Sequence, residues 1–181
     1  MIRAKFWLAV IPVLSFYSLL AQDVPPSRPS PTAIVSARYK DTYLKITYCQ
    51  PRKRGREIFG KLVPFGEVWR TGANEATEIT VTKDIFLKGT LLPAGTYSLF
   101  TIPGKDNWVI ILNKDQGLWG SYNYNIKQDV LRIGVPVEQL SNEAYEAFTI
   151  QIDQRNSVAD LLLLWDKTKI SIPIQFIEPK P

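Results

Sequence analysis

The densest group of side chains able to do chemistry is the string Trp-Arg-Thr-Gly-Ala-Asn-Glu-Ala-Thr at residues 69–77. If Gly72 permits a tight turn, Arg70, Asn74 and Glu75 can converge on one point beside Trp69. A guanidinium offers a planar fork of donors that suits a carboxylate, a phosphate or vicinal hydroxyls. The string therefore predicts a polar ligand site. The alternative is architectural: a buried Arg70–Glu75 pair, with Asn74 satisfying backbone groups of the loop.

A second candidate is the basic run Arg-Lys-Arg-Gly-Arg at residues 52–56, which places four cations within five residues. Its last member, Arg56, could help to hold an anion. The alternative is a solvated charged loop, or a pair between Arg56 and a nearby carboxylate. We expect no nucleic-acid partner, because no aromatic residues interleave the run and the chain has an export signal.

A third candidate is the string Trp-Gly-Ser-Tyr-Asn-Tyr at residues 119–124. Tyr122 and Tyr124 are aromatic residues with polar tips, and such residues stack on sugar rings in carbohydrate-binding proteins. The alternative is ordinary aromatic packing at the end of a β-sandwich.

Several classes of chemistry are excluded by composition. The 181 residues include no histidine and a single cysteine. Histidine bases, histidine-ligated metals, cysteine-based zinc sites and internal disulfides are therefore ruled out. Glu57, Glu75 and Asp129 are available as acids, but no spacing selects a pair suited to glycoside hydrolysis. No Asp-x-Asp-x-Asp calcium loop occurs. We accordingly assign no catalytic residue, no metal site and no cofactor.

The elements that must position these residues are strands. Apolar and polar residues alternate over residues 44–49, 78–82, 131–137, 148–152 and 170–176, while residues 108–112 and 161–165 are continuously apolar. Period-two alternation indicates strands with one buried face, and continuous apolar runs indicate strands covered on both faces. We therefore predict a single all-β domain over residues 32–181, built as a two-sheet antiparallel β-sandwich of jelly-roll-like or Ig-like type.

One region lacks any strand pattern. Residues 50–76 form a stretch of 27 residues that contains Phe59, Trp69 and other apolar side chains. Loops of this length are usually functional or disordered, and this one is too apolar to be left in water. It also holds six basic and three acidic residues. The sequence thus predicts one long ordered loop that carries an excess of positive charge.

The amino terminus has the layout of a secretory signal peptide. A basic start precedes a 15-residue apolar stretch and a small residue, Ala21. That stretch is shorter than the roughly 20 residues of a spanning helix, so we predict cleavage after residue 21 rather than a membrane anchor, with no transmembrane segment left. The proline content of residues 22–31 then predicts an extended, Pro-rich tether. We expect a periplasmic or extracellular protein in which Cys49 is a packed, unpaired residue.

Several of these strings resemble one bacterial secreted family. The residues that carry the resemblance are 50–60, 68–77, 92–104, 119–124 and 129–132, and the match extends from about Ser30 to the end. The family is the one catalogued as domain of unknown function 2911. The resemblance implies export and a single domain. It carries no agreed activity.

Together these observations favour a non-catalytic binding module for a small polar ligand, either anionic or saccharide. The candidate ligand-binding residues are Arg56, Trp69, Arg70, Asn74, Glu75, Tyr122 and Tyr124. One alternative is an envelope hydrolase that uses Glu57 or Glu75 as acid or base, with Arg70 stabilising an oxyanion. Another is a structural envelope protein that binds partners through exposed strand edges. The sequence makes no prediction of oligomeric state.

Overall fold

The structure is a computed structural model that describes residues 27–178. The predicted signal peptide and the first part of the predicted tether lie outside the described residues. A three-residue 3-10 turn, Ile126–Gln128, precedes the eighth of eleven strands. The strands are β1 (Thr32–Tyr39), β2 (Thr42–Cys49), β3 (Thr77–Val81), β4 (Ile85–Leu87), β5 (Thr90–Leu92), β6 (Gly95–Ile102), β7 (Asn107–Asn113), β8 (Asp129–Gln139), β9 (Tyr145–Arg155), β10 (Val158–Asp166) and β11 (Thr168–Phe176). Within residues 27–178 there is no helix of the length and hydrophobicity needed to cross a bilayer.

The strands form one continuous antiparallel order, β1-β2-β3-β6-β7-β8-β11-β10-β9, with the β4–β5 hairpin attached to β11. Strand β8 joins the two halves, because seven of its first eight residues pair with β7 and its last three pair with β11. The two ends of the order, β1 and β9, lie side by side, and Gln154 Nε2 donates to the carbonyl oxygen of Arg38 at 3.0 Å. The result is a nearly closed, barrel-like sheet.

This architecture confirms the all-β antiparallel prediction but does not divide clearly into the two sheets of a sandwich. The physical reason is β8, whose eleven residues are long enough to change pairing partner along their length. Alternation of apolar and polar residues is the same in a sandwich and in a barrel, so the pattern alone does not separate them.

The core follows the predicted alternation. Leu44, Ile46 and Tyr48 on β2 are buried, whereas the alternate residues Tyr43, Lys45 and Thr47 are partly or largely exposed. In the two continuously apolar runs, residues 110–112 and 163–165 are buried one after another. Because successive side chains point to opposite faces, both faces of these strands are covered. Burial of each such side chain contributes about 1.5–3 kcal/mol relative to exposure.

The long loop at residues 50–76 is ordered, as predicted. Its aromatic residues Phe59 and Trp69 pack into the core, where they contact Trp108 and Trp165 with ring centroids 4.8–6.1 Å apart. Trp69 also exchanges two backbone hydrogen bonds with Thr101 of β6, at 2.7 and 2.9 Å. These contacts fix the loop to the sheet and so determine where the residues that follow Trp69 point.

Candidate functional site

The segment from Trp69 to Thr77 folds back on itself through two residues in the left-handed region, Thr71 (φ 55°) and Asn74 (φ 58°). Gly72 is required for a different reason, because a Cβ at this position would lie 2.9 Å from the carbonyl oxygen of Cys49. The turn is closed by Trp69 Nε1, which donates to the carbonyl oxygen of Gly72 at 3.1 Å. Close packing against β2 therefore sets the shape of this segment.

A cavity of about 300 Å³ opens beside this turn. Four of the predicted ligand-binding residues line it: Arg56, Trp69, Arg70 and Asn74. Trp165 contributes part of the wall, and its ring stacks on that of Trp69 with 5.9 Å between centroids. Of the three residues predicted to converge beside Trp69, Arg70 and Asn74 line this cavity and Glu75 does not.

Arg70 is the distinctive residue of the cavity. Its Nε atom is buried and has no hydrogen-bond partner among residues 27–178. Its backbone is held in place, because its carbonyl oxygen accepts a hydrogen bond from the Thr77 amide at 3.1 Å. A buried donor without a partner costs about 1–3 kcal/mol, and native proteins retain few of them. The guanidinium is thus positioned at the cavity with unused hydrogen-bonding capacity.

Glu75 does not pair with Arg70. Its carboxylate accepts hydrogen bonds from Nη1 of Arg28 at 2.7 and 3.0 Å, and Sγ of Cys49 lies 3.4 Å away. The hydrogen bond from Arg28 holds the pKa of the Glu75 carboxyl below its ordinary value. Glu75 lines a neighbouring cavity of about 280 Å³ together with Tyr48 and Cys49. The architectural alternative of an Arg70–Glu75 pair is therefore wrong, because Glu75 takes its cation from the amino-terminal segment.

That segment, residues 28–31, crosses the rim of the site, and we call it the N-terminal strap. The Gln50 amide donates to the Pro31 carbonyl at 2.9 Å, and Asn74 Nδ2 lies 3.4 Å from the Ser30 carbonyl. Arg54 reaches the Pro29 carbonyl at 3.4 Å, and Ser30 itself lines the Arg70 cavity. Sequence reasoning missed this contact because proline content indicates an extended chain without indicating what the chain lies against.

The basic run does not form a single anion site. Arg56 donates from Nε and Nη2 to the carbonyl oxygens of Lys53 and Arg52, at 3.0 and 2.7 Å, so it closes its own loop rather than pairing with a carboxylate. Lys53 forms a salt bridge with Asp166 at 2.6 Å. Arg56 still lines the Arg70 cavity, where its charge adds to the positive potential.

The aromatic string at residues 119–124 is fixed to the rim of the site by its backbone. Gly120 N donates to the carbonyl oxygen of Asn74 at 2.9 Å, and Trp119 forms an isolated antiparallel bridge with Glu75. The side chains of Trp119 and Tyr122 are 58% and 83% exposed. The structure therefore links this string to Asn74 and Glu75 through its backbone, and Tyr122 does not line the Arg70 cavity.

The hydroxyl of Tyr124 is hydrogen-bonded to residues outside the Arg70 cavity. Its hydroxyl donates to Oδ2 of Asp129 at 2.5 Å and accepts from Arg132 at 2.8 Å, and its ring packs on Phe100. Burial, followed by the hydrogen bond to Asp129, raises the pKa of Tyr124 to about 12. These contacts indicate a structural cluster on β8, so Tyr124 does not join the cavity residues.

The candidate acids also lie apart from one another. Glu57 lines a separate cavity of about 270 Å³ that also contains Asp166, and Glu75 and Asp129 have the partners described above. No acidic residue lines the Arg70 cavity in the described part of the chain. Over the same residues, no three histidine, cysteine, aspartate or glutamate side chains gather into a group able to hold a metal ion.

The fold and the site define an all-β domain with a cationic and aromatic cavity beside a long ordered loop. The chain matches a family model described as "Protein of unknown function (DUF2911)" over residues 30–174, and it belongs to that family. No curated protein and no solved structure shows significant similarity to it.

Proposed function

We propose that the protein is an exported binding module whose ligand is a small anionic molecule held in the Arg70 cavity. The observation that carries the proposal is the Nε atom of Arg70, which is buried and lacks a partner among residues 27–178. A carboxylate or phosphate held in the cavity beside Arg70 would neutralise the guanidinium, which no acidic residue of the described cavity wall does.

The size and lining of the cavity support a small ligand. A volume of about 300 Å³ lies at the lower end for small-molecule pockets. Trp69 and Trp165 supply apolar surface, while Arg56 and Asn74 supply polar groups at the rim. A few polar groups set in an aromatic wall are typical of sites that fix the orientation of a small ligand. A single uronic acid or a phosphorylated small molecule has suitable size and charge.

Binding accounts for the site better than acid–base catalysis does. The hydrolase alternative needs a carboxylate beside Arg70, but Glu57 lines another cavity, and the pKa of Glu75 is lowered by Arg28. A low pKa keeps a carboxyl ionised and unsuited to act as a general acid near neutral pH. The purely structural alternative predicts no cavity near Trp69, where one is present.

Export completes the proposal. The basic start, the apolar stretch and the small residue at Ala21 support it. We expect amino-terminal sequencing of protein from the native host to show a chain that starts close to Gln22. An intact Met1 on a soluble cytoplasmic form would contradict export without affecting the proposed ligand site.

Isothermal titration tests the ligand class. The probes are D-galacturonate, D-glucuronate, D-mannuronate and inorganic phosphate, with galactose as the neutral comparison. We expect at least one anion to bind and Arg70→Lys to weaken it by about 5- to 150-fold, because lysine keeps the charge but loses the fork.

The matched control is Arg38→Lys, a change of the same type on β1, where the side chain donates to the Lys40 carbonyl and to no other group within residues 27–178. This variant should bind like the wild type. The proposal would be contradicted if Arg70→Lys bound the anions as tightly as the wild type, or if the wild type bound no anion.

A further inference from the structure

Two large aromatic side chains are exposed on the loop whose backbone is bonded to Asn74, a residue that lines the Arg70 cavity. Trp119 is 58% exposed and Tyr122 is 83% exposed, although both belong to a loop with defined backbone contacts. Trp119 and Tyr122 are three residues apart on this one ordered loop, and several exposed aromatic residues on one surface mark interaction sites more often than a single one does. We define Trp119 and Tyr122 as the aromatic platform.

The platform is held rigidly. The amide of Ala76 donates to the Leu118 carbonyl at 2.8 Å, and that of Gly120 donates to the Asn74 carbonyl at 2.9 Å. Gly120 has φ 69°, and a Cβ there would lie 2.9 Å from the ring of Tyr122. The Tyr122 ring therefore packs against Gly120, one hydrogen bond away from a residue that lines the cavity.

The register also places a carboxylate at the platform. Trp119 and Glu75 are opposite each other in an antiparallel bridge, and side chains of opposed residues project from the same face. Glu75 is already held by Arg28, which leaves its remaining acceptor capacity for neutral donors such as hydroxyl groups. A second anionic group would be repelled there, whereas the uncharged part of a sugar ring would not.

From this arrangement we propose that the ligand is an acidic oligosaccharide: one uronate lies in the Arg70 cavity, and a neighbouring sugar ring stacks on the platform of Trp119 and Tyr122. The inference rests on the proposed function, because the cavity supplies the charge recognition. Sugar rings offer C–H faces to aromatic rings and hydroxyls to polar groups at the edge. Their carboxylates match the excess of positive charge in residues 50–76, which hold six basic and three acidic residues.

The inference separates two subsites that respond to different changes. The cavity alone should bind a monosaccharide, and the platform should act only on a chain long enough to reach it. Loss of an aromatic face should therefore remove the advantage of the oligosaccharide and leave monosaccharide affinity unchanged. A structural role for Trp119 or Tyr122 would not discriminate between ligand lengths.

The experiment compares uronate monomers with the matching tetrasaccharides of galacturonate, mannuronate and glucuronate on full-length mature protein. Titrations are run on the wild type, Trp119→Ala and Tyr122→Ala. The control is Tyr43→Ala, another exposed aromatic residue, which lies on β2 at the end remote from Cys49. Thermal melts check that each variant is folded.

We expect at least one tetrasaccharide to bind the wild type about tenfold more tightly than its monomer. Each platform variant should lose about 5- to 30-fold in tetrasaccharide affinity, with monomer affinity within twofold of the wild type. Tyr43→Ala should behave like the wild type.

Other outcomes overturn the inference in distinguishable ways. If a monomer binds through Arg70 but no tetrasaccharide binds more tightly, the platform inference fails and the proposed function stands. If neither monomers nor tetrasaccharides bind, both fail for uronates. A nucleoside monophosphate that binds more tightly than every tetrasaccharide, and that depends on Trp119 or Tyr122, would replace the saccharide by a nucleotide.

Discussion

Replacing Arg70 with methionine should stabilise the unliganded protein, or leave its stability unchanged, while abolishing anion binding. Methionine keeps a flexible apolar stem of similar length and removes the buried Nε donor that has no partner among residues 27–178. Removing an unsatisfied buried donor recovers a cost of about 1–3 kcal/mol, from which some lost packing must be subtracted. We therefore expect the free energy of unfolding to rise by about 0–2 kcal/mol. For a domain of this size, that corresponds to an increase in Tm of about 0–8 °C.

The matched control is Arg132→Met, the same substitution at an arginine with partners. Nη1 of Arg132 donates to Oδ2 of Asp129 at 2.7 Å and to the Tyr124 hydroxyl at 2.8 Å, and the side chain of Asp129 is only 6% exposed. Its loss leaves a buried carboxylate with fewer donors, so we expect a decrease of about 1–3 kcal/mol.

Urea denaturation of the two variants and the wild type, with thermal melts in parallel, measures both effects. A decrease of more than about 1 kcal/mol in Arg70→Met would show that the guanidinium is a structural group. That result would refute the reasoning on which the ligand site depends. A decrease in Arg132→Met together with no decrease in Arg70→Met would support it.

Three further predictions concern residues around the site. Gly72→Ala should reduce the free energy of unfolding by about 1–3 kcal/mol, because the new Cβ would meet the Cys49 carbonyl at 2.9 Å; urea denaturation measures the change, and wild-type stability would contradict the geometry. Arg28→Ala should raise the pKa of Glu75 toward its ordinary value, because it removes the hydrogen bond that lowers this pKa. NMR titration of the Glu75 carboxyl carbon measures the pKa in both proteins, and equal values would show that the pair does not form in solution. Tyr124→Phe should cost about 1 kcal/mol of stability at neutral pH. Because the folded-state pKa of Tyr124 is raised from 10 to about 12, the wild type loses this advantage as the pH rises through that range, and melts of both proteins should converge there; a constant difference would contradict the assignment.

The fold was predictable as far as local patterns determine it. Alternation in residues 44–49 and 170–176 and the apolar content of residues 50–76 led to the correct strands and the ordered loop. Closure of the sheet was not predictable, because it depends on β8 changing its partner from β7 to β11. Which strand β8 pairs with depends on contacts between residues far apart in sequence, and the alternation of apolar and polar residues contains no information about such contacts.

The candidate site divides in the same way. Trp69, Arg70 and Asn74 lie within six residues, so their convergence could be inferred from one short string. The partner of Glu75 could not, since Arg28 is 47 residues away and lies in a segment whose composition indicates only an extended chain. Tyr124 looked equivalent to its neighbour Tyr122, and only the fold shows that its hydroxyl is committed to β8.

The N-terminal strap has a practical consequence for how the protein is handled. Cleavage after Ala21 would leave six residues ahead of Arg28, a span of at most about 20 Å. An affinity tag or fluorophore on the amino end would therefore sit within reach of the Arg70 cavity and could compete with a ligand. The other end of the described chain is better placed, because Glu178 contacts Tyr39 and Lys40 at the far end of β1. Eight residues of extended strand, about 27 Å, separate that point from the strap, so immobilisation through the carboxyl end leaves the cavity open to solution.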